Sequence, residues 1–386
     1  MKEIYLDHSA TTRVYPEVAE QMMKIMTEQY GNPSSMHGKG LEAEKCVTRA
    51  SETLASLMKV EPKELIYTSG GTESDNLAII GMAEANKRKG NHLITIEIEH
   101  PAVINTMKYL ETKGYSVTYL PVDSYGRVRP EDFEKAVRED TILASVMFVN
   151  NEIGAVEPVE ELAKILHTRR PWAVFHTDAV QAFGKYRILP KRMGIDAMSV
   201  SAHKIGGPKG AGLLYVKDGV KIQPISYGGG QQKGMRSGTH NVPGIAGLAL
   251  AASITCKNME EKNEALYARK AAFIEALGSI EGVYVNGAPG KESAPHIVSA
   301  SFAGIDRVEV LLHALEGEGI YVSAGSACAS NHPEISRTLL AIGLAPEFLQ
   351  STLRFSMGYE TTEEELMETV EALKRLLPML RRFQKR

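Results

Sequence analysis

Between Glu64 and Val216 the apolar residues fall into short runs, each bounded by glycine, proline or small polar residues. Seven of these runs read as strands: Glu64–Thr68, His92–Glu97, Val117–Pro121, Thr141–Val149, Ala173–Thr177, Asp196–Val200 and Ala211–Val216. The spacing between them predicts helices over Glu73–Asn86, after Pro101, over Pro130–Arg138 and near Val159–Leu166. Such alternation predicts a mostly parallel sheet covered by helices on both faces. Upstream lie a brief strand at Ile4–Leu6 and helices from Pro16 to about Gln29 and from about Leu41 to Met58.

A helical stretch over Ile245–Leu277 forms a bridge to a C-terminal part with a different rhythm. Strands are expected at His296–Ala303, Ile320–Val322 and Thr352–Met357, and helices at Val308–Glu318, Ile335–Ile342 and Thr361–Leu377. A chain of 386 residues exceeds what one hydrophobic core usually supports. The division expected is a large α/β domain over 15–255 and a smaller α+β domain from 1–14 and 256–386.

Charge changes this picture little. The 44 basic side chains nearly balance 47 acidic ones, which gives no reason to expect nucleic acid or an anionic membrane as the main partner. No apolar run is long enough to span a bilayer, and Met1–Tyr5 lacks the parts of a signal peptide. Cys46, Cys256 and Cys328 are few, odd in number and widely spaced, which fits a reducing cytoplasm better than a disulfide framework. Cys46 and Cys256 lie on ordinary helix faces. Cys328 lies in a loop of tiny residues, the setting of an accessible thiol. Cys328 and His332 alone do not define a zinc site, so no metal is expected.

The polar residues cluster after the strands, where α/β sheets bind ligands. Ser201-Ala202-His203-Lys204 ends one strand before a run of glycines, and a lysine at such a place is a candidate amine nucleophile. If Lys204 holds pyridoxal phosphate, the site needs an acid for the pyridinium nitrogen, a ring over the cofactor face and donors for the phosphate. Asp178 is the candidate acid, or else a turn residue. His100, before Pro101, is the candidate ring, or else a surface histidine. Ser69-Gly70-Gly71-Thr72 is a plain strand-to-helix turn or a phosphate cradle, and Thr72 with Asp75 resembles a capping box. Ser201 and His203 are further phosphate donors, and Gln181 and Asn150 candidates for the ring's exocyclic oxygen. The glycine-rich stretch Tyr227–Pro243 is long enough to be functional.

These motifs occur in one order: Y-L-D-H-S-A-T-T, G-N-P-S-S-M-H, T-S-G-G-T-E-S-D-N, E-H-P-A-V, N-N-E-I-G, H-T-D-A-V-Q, S-A-H-K-I-G-G-P-K-G, R-S-G-T-H-N-V-P-G and S-A-G-S-A-C. The chain so resembles the cysteine desulfurases of the NifS/IscS type, class V aminotransferases of the aspartate-aminotransferase-like superfamily. The resemblance implies the fold type I architecture of pyridoxal-phosphate transferases. It also implies Lys204 as the Schiff-base lysine, Asp178 as the pyridinium partner and His100 as the stacking ring. Gly71, Thr72, Ser201 and His203 become phosphate ligands, with Gln181 and Asn150 near the ring. Thr239 is implied to reach the phosphate of a neighbouring subunit in a homodimer. Arg354 is implied to bind the substrate carboxylate, with Asn32 and His37 in the loop nearby. The implied reaction takes sulfur from L-cysteine onto Cys328 and releases alanine. The persulfide then passes to an iron–sulfur scaffold or a tRNA-thiolation enzyme. A selenocysteine lyase and a non-catalytic relative are the other readings of the same scaffold. His8, Ser9 and Asp75 depart from the usual Y-L-D-N-A-A-T-T and T-E-S-N-N.

Overall fold

The computed structural model describes residues 3–324 and 335–384. In chain order, β1 (Ile4–Tyr5) and helices α1 (Pro16–Thr27) and α2 (Gly38–Met58) precede β2 (Leu65–Thr68). Then come α3 (Gly71–Asn86), β3 (His92–Ile96), α4 (Pro101–Glu111), β4 (Ser116–Leu120), α5 (Pro130–Ala136) and β5 (Thr141–Ser145). They are followed by α6 (Val159–Arg169), β6 (Val174–Asp178), β7 (Ala197–Ser201) and β8 (Gly212–Val216). The remainder comprises α7 (Val242–Cys256), α8 (Met259–Gly278), β9 (Val283–Asn286), β10 (Ile297–Phe302) and α9 (Val308–Gly317). Last are β11 (Ile320–Tyr321), β12 (Ser323–Ala324), α10 (Arg337–Ala341), β13 (Thr352–Ser356) and α11 (Glu363–Gln384).

Seven strands form the main sheet in the order β2-β8-β7-β6-β5-β3-β4. β4, β3, β5, β6 and β7 run parallel to their neighbours, whereas β8 is antiparallel to both β7 and β2. β3, β5, β6 and β7 are buried along their whole length, as a sheet with helices on both faces requires. From β3 the chain steps outward to β4 and then returns to the other side of β3 as β5. That reversal is a switch point, and the turns leaving β3, β5, β6 and β7 share one rim around it.

A second, antiparallel sheet has the order β12-β13-β10-β9. Val298, Phe302, Leu353 and Phe355 from it pack with Phe273 of α8, Leu311 of α9 and Leu373 of α11. Burying each such side chain contributes about 1.5–3 kcal/mol. β1 pairs with β11, Ile4 opposite Ile320, so the N-terminus belongs to this second core.

Several expectations are corrected. The Ile245–Leu277 stretch is two helices, broken where Asn258 takes a left-handed conformation, φ 52°, that asparagine tolerates. Thr72 and Asp75 make no capping box: Gly70 is the cap residue of α3, Asp75 points into the core, and the Glu73 carboxylate instead accepts from the Ser69 N–H at 2.7 Å. β9 and β12 carry no clear apolar alternation and were not expected. Among the described residues no helix is long and apolar enough to cross a membrane.

Candidate active site

Lys204 closes a single 3-10 turn after β7. Its Nζ donates to the backbone carbonyls of Ser9 and, at 2.8 Å, Ala10. Thr12 fastens the same turn from the other side: its hydroxyl donates to the His203 carbonyl at 2.9 Å and accepts from the Gly206 N–H at 2.8 Å. His203 Nδ1 lies 3.2 Å from the Thr11 hydroxyl. Burial, with Lys204 and Lys209 close by, pushes the His203 imidazole down to about 4.

Asp178 ends β6, the strand next to β7, and its carboxylate accepts from the Val180 N–H at 2.8 Å. His100 caps α4 on the far side of the switch point, its Nδ1 accepting from Ala102 N–H at 3.1 Å, and Pro101 fixes the turn. Burial raises the Asp178 carboxyl and lowers the His100 imidazole, while His100 and Lys204 draw Asp178 back down. The three groups thus feel one another. A desolvated carboxylate in this position gains by meeting a cation, which a protonated pyridine nitrogen provides.

The phosphate candidates form a cradle. The first turn of α3 places N–H groups outside the helical ladder. Ser201 Oγ is buried beside it with no partner among the described residues, 3.7 Å from where a Cβ on Gly70 would stand. A Cβ on Gly71 would come within 2.7 Å of Val180 Cγ2, so glycine is required for the close approach. Thr72 is exposed on the same turn. An unsatisfied hydroxyl beside a dipole end, with open space in front of Gly70, is what a bound phosphate completes. The residues therefore fit pyridoxal phosphate.

Other expected residues are committed differently. Asn150 Oδ1 accepts from the N–H groups of Glu152 (2.9 Å) and Ile153 (3.0 Å), and its Nδ2 donates to the Ile98 carbonyl at 3.0 Å. Gln181 donates to the Ser9 carbonyl at 2.9 Å, and its Oε1 lies 3.3 Å from His296 Nε2. Arg354, on β13, is buried; its guanidinium donates to Asp7 Oδ1 at 2.8 Å and to the Asn151 carbonyl at 3.0 Å, and its Nε has no partner among the described residues. Asn32 and His37 are exposed and serve their own loop, accepting from Ser34 N–H (3.0 Å) and Gly40 N–H (3.4 Å). Thr239 is exposed. Cys328 lies outside the described residues, but the chain on either side of that segment adjoins the site. β12 pairs Ser323 with Arg354, and Ser336 and Thr338 donate to the Glu152 carboxyl at 2.5 and 3.2 Å.

Sequence reasoning missed the layer behind Asp178. The buried Glu99 carboxyl accepts from Met147 N–H at 2.6 Å, and Asp75 Oδ1 lies 3.7 Å from His176 Nε2. Burial and the charge of Asp178 raise both carboxyls well above their ordinary range, while burial lowers His176 to about 3. Asp7, which holds Arg354, was also missed. Their polarity alone does not distinguish them from turn residues.

The Aminotransferase class-V family profile matches residues 4–368. The chain is 45% identical over 382 residues to a cysteine desulfurase IscS of Clostridium botulinum, covering 98% of this chain and 96% of that protein. It is 44% identical to the cysteine desulfurase IscS of Methanosarcina thermophila, with 98% and 93% covered. Among solved structures, a NifS-like protein superposes with a TM-score of 0.93 at 39% identity, covering 98% of this chain and 100% of that one. SspA in complex with cysteine superposes with a TM-score of 0.79 at 32% identity, covering 94% and 100%.

Proposed function

The chain belongs to the class-V aminotransferase family, among the cysteine desulfurases of the NifS/IscS type, and on that premise we propose that it takes sulfur from L-cysteine onto Cys328. It is a pyridoxal-phosphate-dependent enzyme. The observation that supports the reading best is the convergence of Lys204, Asp178 and His100 on one rim of the sheet, beside the helix end that carries the unsatisfied Ser201 hydroxyl.

When bound, pyridoxal phosphate supplies an electron sink for the substrate's α-carbon. Lys204 would hold the cofactor, and its free Nζ would take the substrate's α-proton. Asp178 would keep a proton on the ring nitrogen by offering a buried negative charge. His100 would cover the ring and carry protons. Gly71, Thr72, Ser201 and His203 would bind the phosphate, with Thr239 of a second subunit, and Gln181 and Asn150 would lie near the ring. Arg354 presents its guanidinium to the substrate carboxylate, which then replaces Asp7 as its partner; Asn32 and His37 flank the entrance. The Cys328 thiolate attacks the substrate sulfur: the new S–S bond forms as the Cβ–S bond breaks, and alanine leaves once Cβ has gained a proton and Cα has regained the one that Lys204 took. The persulfide passes to an acceptor, an iron–sulfur scaffold or a tRNA-thiolation enzyme. The proposed setting is the cytoplasm and the proposed assembly a homodimer.

Mass spectrometry of the Cys328 peptide after exposure to L-cysteine tests this reading. One added sulfur atom, absent in Lys204→Ala, is expected; an unmodified Cys328 alongside released alanine would overturn it.

A further inference from the structure

The segment from Asp7 to Thr12 is held by far more contacts than a connection needs. Ser356 alone meets it repeatedly: its carbonyl accepts from His8 N–H (3.2 Å) and lies 3.1 Å from His8 Nδ1, its Oγ accepts from Ser9 N–H (2.8 Å), and its N–H donates to the Leu6 carbonyl (2.7 Å). The Tyr5 hydroxyl spans the segment, donating to the carbonyls of Asp7 (3.1 Å) and Thr11 (3.0 Å). His8 is buried, and its Nε2 lies 2.9 Å from Glu360 Oε1. Both ring nitrogens thus face oxygen atoms, which fixes the plane and position of the ring. The pair has room only because residue 358 is glycine. A Cβ there would stand 2.5 Å from both His8 Nε2 and Glu360 Oε2.

The neighbours of this clamp are the two functional cations. Asp7 holds Arg354, and the Ser9 and Ala10 carbonyls hold the Lys204 amine. We propose that His8 is a positioning residue for Lys204: locked between Ser356 and Glu360, it stations the Ser9 and Ala10 carbonyls as the resting place of the amine whenever it is not bonded to the cofactor. This rests on reading Lys204 as the cofactor lysine. Two fixed acceptors stabilise the released amine, most of all as ammonium, because charge-assisted hydrogen bonds are the stronger ones. They therefore favour displacement of Lys204 by an incoming amine. The charged and titratable groups facing the clamp are Glu360, the Tyr5 ring edge at 5.0 Å, His296, Lys185 and Arg354; those facing Lys204 are Asp178, His100 and His203.

The test uses the holoenzyme and methylamine, which exchanges with Lys204 on the cofactor and is followed by visible absorbance. The double variant His8→Gln/Glu360→Gln removes both members of the pair at nearly constant size. Gly358→Ala disturbs the pair without altering either member. Both variants are expected to raise the half-saturating methylamine concentration about five- to tenfold, the worth of about one hydrogen bond. Thermal unfolding reports separately on stability. An unchanged half-saturation in both variants, whatever happens to the melting temperature, would overturn the proposal. Failure of the underlying reading looks different: Lys204→Ala would still carry covalently fixed cofactor after borohydride reduction.

Discussion

Asp75, on the inner face of α3, has a carboxyl with 1% exposure and an Oδ1 that finds no hydrogen-bond partner among the described residues. Burial raises it first and the nearby Asp178 raises it further, while the one imidazole beside it, His176, is pushed down to about 3 and offers no charge. Folded Asp75 therefore holds its proton more tightly than the unfolded chain does. Asp75's own contribution to stability is greatest at low pH and falls as pH rises above the ordinary carboxylate range toward the raised value. Asp75→Asn removes the titration at nearly constant shape. It is expected to stabilise the holoenzyme at pH 8 by on the order of 1 kcal/mol, with the gain vanishing near pH 4, as read from thermal unfolding across pH. An equal effect at both pH values would show that the carboxyl's proton is not the cause. Asp75 also marks the limit of what was legible. Lys204, Asp178 and His100 stood out because their side chains follow strands directly in sequence. The partners of Arg354 did not, because Asp7 reaches it across 347 positions and only the fold brings them together.

The stretch from Tyr227 to Pro243 holds its shape through borrowed contacts. Gln232 lies against the outer edge of β2, where its Oε1 accepts from Tyr67 N–H at 2.6 Å and its Nε2 donates to the Tyr67 carbonyl at 2.8 Å. One side-chain amide thus does what a neighbouring strand would do for that edge. Gln232 and Lys233 both adopt left-handed conformations to allow it, and Arg236 adds an ion pair to Glu73 at 2.7 Å. Gln232→Ala is expected to cost about 1 kcal/mol of stability and to expose the loop. Faster exchange of the Tyr67 amide and faster proteolysis within 227–243 would show it; unchanged exchange would mean that the loop is held by Arg236 alone. Sequence pattern identified the elements that bury a whole face, such as β3, β5 and α4, because their apolar spacing is dictated by the core. It failed where the backbone answers to a single residue. The break at Asn258 interrupts an otherwise continuous helical stretch, and β8 reverses direction with no change in its apolar pattern.

At the scale of the molecule, two cores meet along the Asp7–Thr12 segment, which leaves the second sheet at Ser356 and reaches Lys204 in the first. This explains why Arg354 and Lys204, in different cores, are tied to one strand of chain. The same scale bears on assembly. Met23 and Met26 of α1, Tyr30, Met36, Leu41 and Tyr227 are exposed, more apolar surface than an isolated chain gains from presenting, and Thr239 stands exposed in the loop that Gln232 pins. If Thr239 completes the site of a second subunit, the two functions can be separated on different chains. Lys204→Ala abolishes the chemistry in its own site, and Thr239→Asp places a negative charge against the phosphate of its partner's site. Each variant alone is expected to be nearly inactive. Co-expressed, half of the dimers would be mixed, and each would hold one site with an intact Lys204 and an intact Thr239, restoring about a quarter of full activity. Sites completed within one chain would give no recovery, because the Thr239→Asp chain would carry its defect into its own site whichever partner it met.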